Sequence, residues 1–119
     1  MDFNNTQAIY LQIVDWVCEQ ILTGTWKTGE RALSVRELAV NFEVNPNTVM
    51  RSYEYLQNKG VIINKRGIGF FVKEDAPEII RNIRKDHFIN EEVPVFIKNM
   101  KLLGIDIDEI VKIYNQTEI

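Results

Sequence analysis

The sequence predicts a mainly α-helical fold with a small β-hairpin, arranged as one compact domain followed by a helical tail. Three observations support this: apolar residues at helical spacing through the first half, a glycine-bearing loop between two short β-branched segments, and heptad-like apolar spacing near the C-terminus. The 119 residues, 45% of them hydrophobic and 26% charged, suffice for one core of ordinary domain size. We therefore place a globular domain at residues 1–75 and the tail at residues 76–119.

The first predicted helix runs from about Gln7 to Thr23 and ends at Gly24, a residue suited to a left-handed cap. Its apolar residues recur every four positions, at Ile9, Ile13, Val17 and Ile21. Its polar side is formed by Gln12, Asp15, Glu19 and Thr23.

Two short helices follow, and each has a clear start signal. Ser34 with Glu37 three residues later is typical of a capping box. Asn45 followed by Pro46 is typical of an N-cap with proline at the first helical position, and this third helix runs to about Asn58. The short turn between the two helices, braced by the first helix, indicates a helix-turn-helix.

A β-hairpin is predicted after the third helix. Residues 61–65 and 70–73 are short and rich in β-branched or aromatic side chains, and the glycine-bearing loop 66–69 joins them. Because a two-stranded ribbon is only marginally stable alone, we expect its apolar face to pack on the helices as a wing.

The C-terminal region is predicted to be helical after a linker at residues 74–77. Its stripe of apolar residues consists of Ile89, Val93, Phe96, Met100, Leu103, Ile107 and Ile110. Pro94 predicts a kink, or a helix restart near Asn90. The stripe is too long for the small domain to cover, so we expect residues 78–119 to form a two-fold homodimer.

The charge of the chain is unevenly distributed. The net charge is −3, yet residues 44–73 carry five basic residues against one acidic residue, a local charge of +4. Because electrostatic attraction acts within about 8–10 Å, such a segment can attract phosphates even in an acidic chain.

Several other classes of protein are disfavoured. A single cysteine gives neither a disulfide framework nor a thiolate zinc site, and His87 with Glu91 provides too few ligands for a metal. No nucleophile–base pair or phosphate-binding loop is present, so we expect no enzyme activity, no cofactor and no metal. Residues 1–5 lack the features of a signal peptide and no apolar run could cross a bilayer, so we expect a cytoplasmic protein without a membrane partner.

Four sequence blocks resemble, in order and spacing, the DNA-binding domain of the GntR family of bacterial regulators. They are residues 9–13 (IYLQI), 34–39 (SVRELA), 44–49 (VNPNTV) and 66–72 (RGIGFFV), and the resemblance covers roughly residues 7–73. The short helical remainder is similar to that of the YtrA-like subfamily, whose tails serve dimerisation. The resemblance implies a winged helix-turn-helix.

The sequence departs from the family pattern at two places. Ala32-Leu33 stands where the family usually has leucine-proline, which could change the angle at which the second helix begins. Phe70 stands where the family usually has a threonine in the wing, which could remove one phosphate contact.

The third helix carries the main candidate site. Asn47, Thr48 and Arg51 lie opposite its apolar face, where they could meet the major groove of DNA. Asparagine can pair with adenine and arginine with guanine, although a solvated helix face is the alternative interpretation. The resemblance adds Arg36 and a wing tip that could enter a minor groove. The predicted DNA-binding residues are Arg36, Asn45, Asn47, Thr48, Arg51, Lys65, Arg66 and Gly67.

The predicted function is sequence-specific DNA binding by a homodimeric transcription regulator, a repressor acting on a palindromic operator. The alternative is a winged-helix module that binds protein, with the basic segment merely solvated. The sequence identifies no small-molecule effector.

Overall fold

The computed structural model describes residues 7–119 and has the predicted fold class, mainly helical with a two-stranded antiparallel hairpin. Residues 1–6, including the segment 1–5 in which no signal peptide is predicted, lie outside the described residues. The chain forms two compact units, Met1–Asn82 and Ile83–Ile119. None of the helices between residues 7 and 119 has the length and apolar character needed to cross a bilayer.

The first unit contains three helices, the hairpin and the start of a fourth helix. Its elements are α1 (Ile9–Leu22), α2 (Val35–Phe42), α3 (Pro46–Asn58), β1 (Ile62–Lys65), β2 (Gly69–Val72) and the beginning of α4 (Ala76–His87). Every one of these elements contributes buried side chains to a single hydrophobic core. Gln12, which the helical period places on the polar side of α1, is buried as well, and its side-chain amide donates to the Gln7 carbonyl over 2.8 Å.

The predicted start signals of α2 and α3 are confirmed. The Ser34 hydroxyl accepts a hydrogen bond from the Glu37 backbone, and the Glu37 carboxylate accepts one from the Ser34 backbone, both over 3.1 Å. The backbone N–H of Ser34 lowers the pKa of the Glu37 carboxyl, because it stabilises the ionised form. Asn45 caps α3 by accepting from the Asn47 backbone over 2.8 Å. Glu43, in a left-handed conformation with φ 55°, ends α2.

The wing packs on the helices through its apolar face and gains a third extended segment. β1 and β2 pair antiparallel, with Ile62 opposite Val72, and both side chains are buried. Residues 29–32 then run along the other edge of β2, where the Ala32 backbone donates to the Phe70 carbonyl and Val72 donates to the Glu30 carbonyl. These bonds connect the wing to the segment just before α2 and satisfy the outer edge of the hairpin.

Tyr53 of α3 joins three parts of the first unit. Its side chain is fully buried, its hydroxyl donates to the Leu33 carbonyl just before α2, and its ring meets Phe70 of the wing edge-on at 5.0 Å between centroids. Burial raises the pKa of the Tyr53 hydroxyl, so this group remains a hydrogen-bond donor. Within the shared core, this side chain therefore contacts both the segment before α2 and the wing.

The predicted linker at residues 74–77 is wrong in its second half. Helix α4 begins at Ala76, which is fully buried, and Ile80 on the next turn is only 2% exposed. Proline is accepted in the first turn of a helix because the N–H it lacks would have no partner there, so Pro77 does not prevent this start. The first unit consequently extends past residue 75, the boundary predicted from the sequence.

The second unit contains the end of α4, a π-helical turn (Phe88–Glu92), α5 (Val93–Leu103) and α6 (Ile107–Gln116). Pro94 lies in the first turn of α5, directly after the π-helical turn that contains Asn90. Proline removes a backbone donor and crowds the preceding turn, which accounts for the locally wider helix. The predicted irregularity is therefore a π-helical turn. Gly104, with φ 70°, ends α5, and Asp106 caps α6.

The apolar stripe of the second unit is largely exposed to solvent. Ile89, Phe96, Leu103 and Ile107 are exposed, with Leu103 at 72%, and the other members of the stripe are half-buried. The half-buried members are Val93, Met100 and Ile110.

We predict that Tyr53→Phe lowers the free energy of unfolding by about 1–2 kcal/mol, because it leaves the Leu33 carbonyl without its donor while keeping the ring. The matched control is Tyr55→Phe, which removes a hydroxyl from a half-buried ring of the same helix and should change stability by less than about 0.5 kcal/mol. Urea unfolding of the full chain at one fixed protein concentration measures both. Equal effects of the two substitutions would contradict this role of Tyr53.

Candidate nucleic-acid interface

Helix α3 has one face in the core and the opposite face in solvent. Val49, Tyr53 and Leu56 are at most 1% exposed, which matches the apolar face predicted from the sequence. Asn47 and Arg51 are exposed, and Thr48 between them is half-buried. The packed inner face fixes the position of the helix, so the polar groups on the outer face are held on a rigid element.

The three outer residues of α3 lie beside the start of α1. Asn47, Thr48 and Arg51 line a shallow concavity of about 340 Å³, whose remaining wall is formed by Ala8, Ile9 and Tyr10. The Arg51 guanidinium lies over the Tyr10 ring, 3.9 Å from its centroid. The structure thus brings together the three candidate residues of α3 and adds an aromatic side chain that the sequence did not indicate.

Asn45 and Arg36 lie outside this concavity. The side-chain oxygen of Asn45 accepts the capping hydrogen bond of α3, and its amide N–H₂ group is a donor that could meet a phosphate. Arg36 is exposed in the first turn of α2.

The wing tip presents the other candidate residues. Lys65, Arg66 and Gly67 are all exposed, and the Lys65 ammonium group lies 4.3 Å from the centroid of the Phe71 ring. Gly67 has φ 79°, a left-handed conformation that glycine adopts without strain. The tip therefore offers two cations on a tight turn.

Arg31 packs against the backbone of the wing at Gly69. A Cβ atom at Gly69 would lie 2.9 Å from Arg31 Nε. Gly69 also has φ 137°, a value that residues other than glycine rarely adopt. Glycine at this position lets the Arg31 side chain lie directly on β2. Arg31 itself is exposed, so it adds a third cation to the wing.

The two departures from the family pattern lie next to Tyr53. The carbonyl of Leu33, which stands where proline is usual, accepts the Tyr53 hydroxyl. Phe70, which stands where threonine is usual, packs its half-buried ring on Tyr53. The Leu33 contact uses the backbone carbonyl, which a proline would also offer, whereas the Phe70 ring adds an aromatic contact between α3 and the wing that a threonine could not make.

Sequence reasoning missed Tyr10 and Arg31. Tyr10 has the helical spacing of an ordinary core residue, and Arg31 follows a predicted turn, so neither has a local pattern that indicates a surface role. Their positions depend on α1 meeting α3 and on residues 29–32 meeting β2, which are contacts between distant parts of the chain.

Comparison with known proteins agrees with this architecture. Residues 9–72 match the family described as "Bacterial regulatory proteins, gntR family". The chain belongs to the GntR family of bacterial transcription regulators. Members of this family are DNA-binding regulators and not enzymes, and this chain is accordingly a DNA-binding transcription regulator of the YtrA-like type.

The similarity extends over nearly the whole chain in three relatives. HTH-type transcriptional regulator YhcF of Bacillus subtilis is 36% identical over 92% of this chain and 89% of its own length. HTH-type transcriptional repressor YtrA of the same organism is 32% identical over 92% of this chain and 84% of its own. A crystal structure of a GntR-family transcriptional regulator from Bacteroides thetaiotaomicron is 53% identical, covers 92% of this chain and 95% of that one, and has a TM-score of 0.81.

We predict that Gly69→Ala lowers the free energy of unfolding by about 2–3 kcal/mol, because it forces alanine into a disfavoured φ, while the exposed end of the Arg31 side chain can move aside at little cost. Gly67→Ala is the matched control, since it also has a positive φ but nothing lies within 4 Å of the added Cβ. Its cost should be about 1 kcal/mol. Thermal unfolding of the two full-length variants gives the comparison, and equal losses would contradict the special requirement for glycine at position 69.

Proposed function

We propose that this protein is a homodimeric repressor that recognises a palindromic operator through α3 and its wing. The observation that carries the proposal is the outer face of α3, where Asn47, Thr48 and Arg51 are presented together on a helix whose other face is buried. Such a helix can enter the major groove of B-DNA, which is wide enough for one α-helix.

The three residues have the donors and acceptors that base edges require. Asn47 can pair with adenine through its amide, and Arg51 can donate two hydrogen bonds to guanine. Thr48 can offer a hydroxyl to a base or its methyl group to a thymine. Sequence preference is proposed to come from these contacts.

The remaining candidate residues suit the DNA backbone. Lys65 and Arg66 at the wing tip and Arg36 on α2 are exposed cations, and phosphates attract such groups regardless of base sequence. Asn45 can donate from its amide, and the backbone N–H of Gly67 at the wing tip can approach a phosphate closely because glycine has no side chain. Affinity is proposed to come mainly from these contacts, and Arg66 could also enter a narrow minor groove.

The second unit is proposed to form the dimer. Its exposed apolar residues include Phe96, Leu103 and Ile107, and a monomer with such a surface would leave a large apolar patch in water. A second copy of the same stripe, related by a two-fold axis, would cover it. DNA binding would then belong to the first unit and dimerisation to the second.

A two-fold dimer predicts a palindromic operator. Two identical helices can occupy major grooves on the same face of DNA only when their half-sites are about one helical turn apart, ~34 Å or a multiple of it. Repression, as opposed to activation, is proposed by similarity to YtrA of Bacillus subtilis, which is named a transcriptional repressor.

We expect selection of bound fragments from random duplex DNA to return an inverted repeat. On that operator, single substitutions should distinguish contacts to bases from contacts to phosphates. Asn47→Ala or Arg51→Ala should weaken binding by about 1–3 kcal/mol and relax base preference at one or two positions. Lys65→Ala is the matched control for charge, and it should weaken all sequences alike while reducing the slope of affinity against salt by about one unit. Fluorescence anisotropy measures base preference on a mismatch series and the salt slope on the selected operator at several salt concentrations.

The selection and the mismatch series can each contradict the proposal. Recovery of no preferred sequence, with weak binding even at low salt, would favour the protein-binding alternative. Identical behaviour of Arg51→Ala and Lys65→Ala across the series would contradict the proposed division between base and phosphate contacts.

We expect the double variant Phe96→Asp/Leu103→Asp to be a folded monomer with much weaker operator binding. Carboxylates at exposed apolar positions cost little in a monomer, but burying them without partners in an interface costs several kcal/mol each. Val40→Asp, at an apolar position of α2 that is 76% exposed, is the matched control and should leave the dimer intact. Sedimentation velocity gives the oligomeric state, and a double variant that sediments as a dimer would refute the proposed interface.

A further inference from the structure

Tyr10 of α1 borders the face of α3 that we propose to contact bases. The Arg51 guanidinium lies 3.9 Å from the centroid of the Tyr10 ring, and both side chains line the same concavity as Asn47 and Thr48. Tyr10 is half-buried whereas Arg51 is exposed. The ring is therefore the more constrained partner, and the long arginine side chain is the one whose position the contact restricts.

The backbone that carries the ring is bonded to the helix that carries Arg51. Ser52, the next residue after Arg51, is fully buried, and its hydroxyl donates to the Tyr10 backbone carbonyl over 2.7 Å. The Tyr10 carbonyl lies in the first turn of α1, and the bond to Ser52 sets its distance from α3. The buried Ser52–Tyr10 hydrogen bond thus holds Tyr10 beside Arg51, in addition to the contact between their side chains.

Stacking restricts the guanidinium without occupying its donors. An arginine stacked on an aromatic ring uses one flat face of its planar group, and its N–H groups point outward in the plane. Two of these N–H groups can pair with the acceptors on the edge of a guanine. Part of the rotamer freedom that the side chain would lose on binding is already lost in the free protein, so less is lost when DNA binds.

We infer that Tyr10 is a positioning residue that directs Arg51 to one base pair of the operator and so helps to determine sequence specificity. The inference rests on the proposed function, because it requires Arg51 to contact a base. It assigns to α1 a part in recognition, although α1 presents no polar side chain of its own to the concavity except the Tyr10 hydroxyl.

A double-mutant cycle with Tyr10→Leu and Arg51→Ala tests this inference. The measured quantity is discrimination, the ratio of affinities for the selected operator and for the duplex changed at the base pair that Arg51→Ala identifies. Tyr10→Leu should reduce discrimination about two- to fivefold, the range expected for an exposed cation–π contact. In the Arg51→Ala background it should cause no further loss of discrimination.

Tyr10→Phe is the matched control, because it keeps the ring and removes the hydroxyl. It should retain the discrimination of the wild type. Circular dichroism and thermal unfolding check that each variant is folded, and a purely structural defect would lower affinity for all sequences without changing their ratio.

The possible outcomes separate this inference from the proposed function. If the wild type shows no base preference, or Arg51→Ala leaves that preference unchanged, the proposed role of Arg51 fails and this inference fails with it. If Arg51→Ala relaxes one position but Tyr10→Leu leaves discrimination intact, the inference alone is overturned. A Tyr10→Phe variant as impaired as Tyr10→Leu would assign the effect to the hydroxyl, and tighter binding by Tyr10→Leu would mean that the ring withholds Arg51 from DNA. Either result overturns the inference.

Discussion

The arrangement of the first unit depends on its shared hydrophobic core, and the buried Tyr53 side chain adds specific contacts that connect α3 to the parts around it. It belongs to α3, donates a hydrogen bond to the backbone just before α2, and packs its ring on Phe70 of the wing. A winged helix-turn-helix must hold a recognition helix and a wing at fixed positions so that both can reach DNA at once. In this chain one tyrosine connects those two elements, and Leu33 and Phe70, the two departures from the usual family pattern, are its partners.

A second contact places α3 relative to α1 in the same way. The Ser52 hydroxyl donates to the Tyr10 carbonyl, so the inner side of α3 is bonded to α1 next to the surface that carries Arg51. Buried polar contacts of this kind specify geometry, because an unsatisfied partner would be costly in the core. Since only the inner face of α3 packs in the core, its outer face can carry the polar side chains that we propose to contact DNA.

The two units differ in how far they bury their apolar residues. In the first unit the apolar stripes of the helices and the inner face of the wing cover one another, and all elements share one core. In the second unit the stripe that includes Phe96 and Leu103 is left exposed. The π-helical turn before Pro94 interrupts the helix in this unit, where the missing proline N–H changes the hydrogen-bond pattern. The contrast between the two units is the physical basis for the proposal that the tail forms a dimer.

The sequence by itself determined the local structure, because its signals act over a few residues. The capping box at Ser34, the Asn45-Pro46 start of α3 and the inward face of α3 are encoded at spacings of three and four residues, and the structure contains all three. Only the tertiary structure decided the burial of Gln12 and Ala76, the stacking of Tyr10 on Arg51 and the packing of Arg31 on Gly69. Most of these contacts join residues far apart in the chain, and all depend on where whole elements meet, which helical spacing and turn chemistry do not specify.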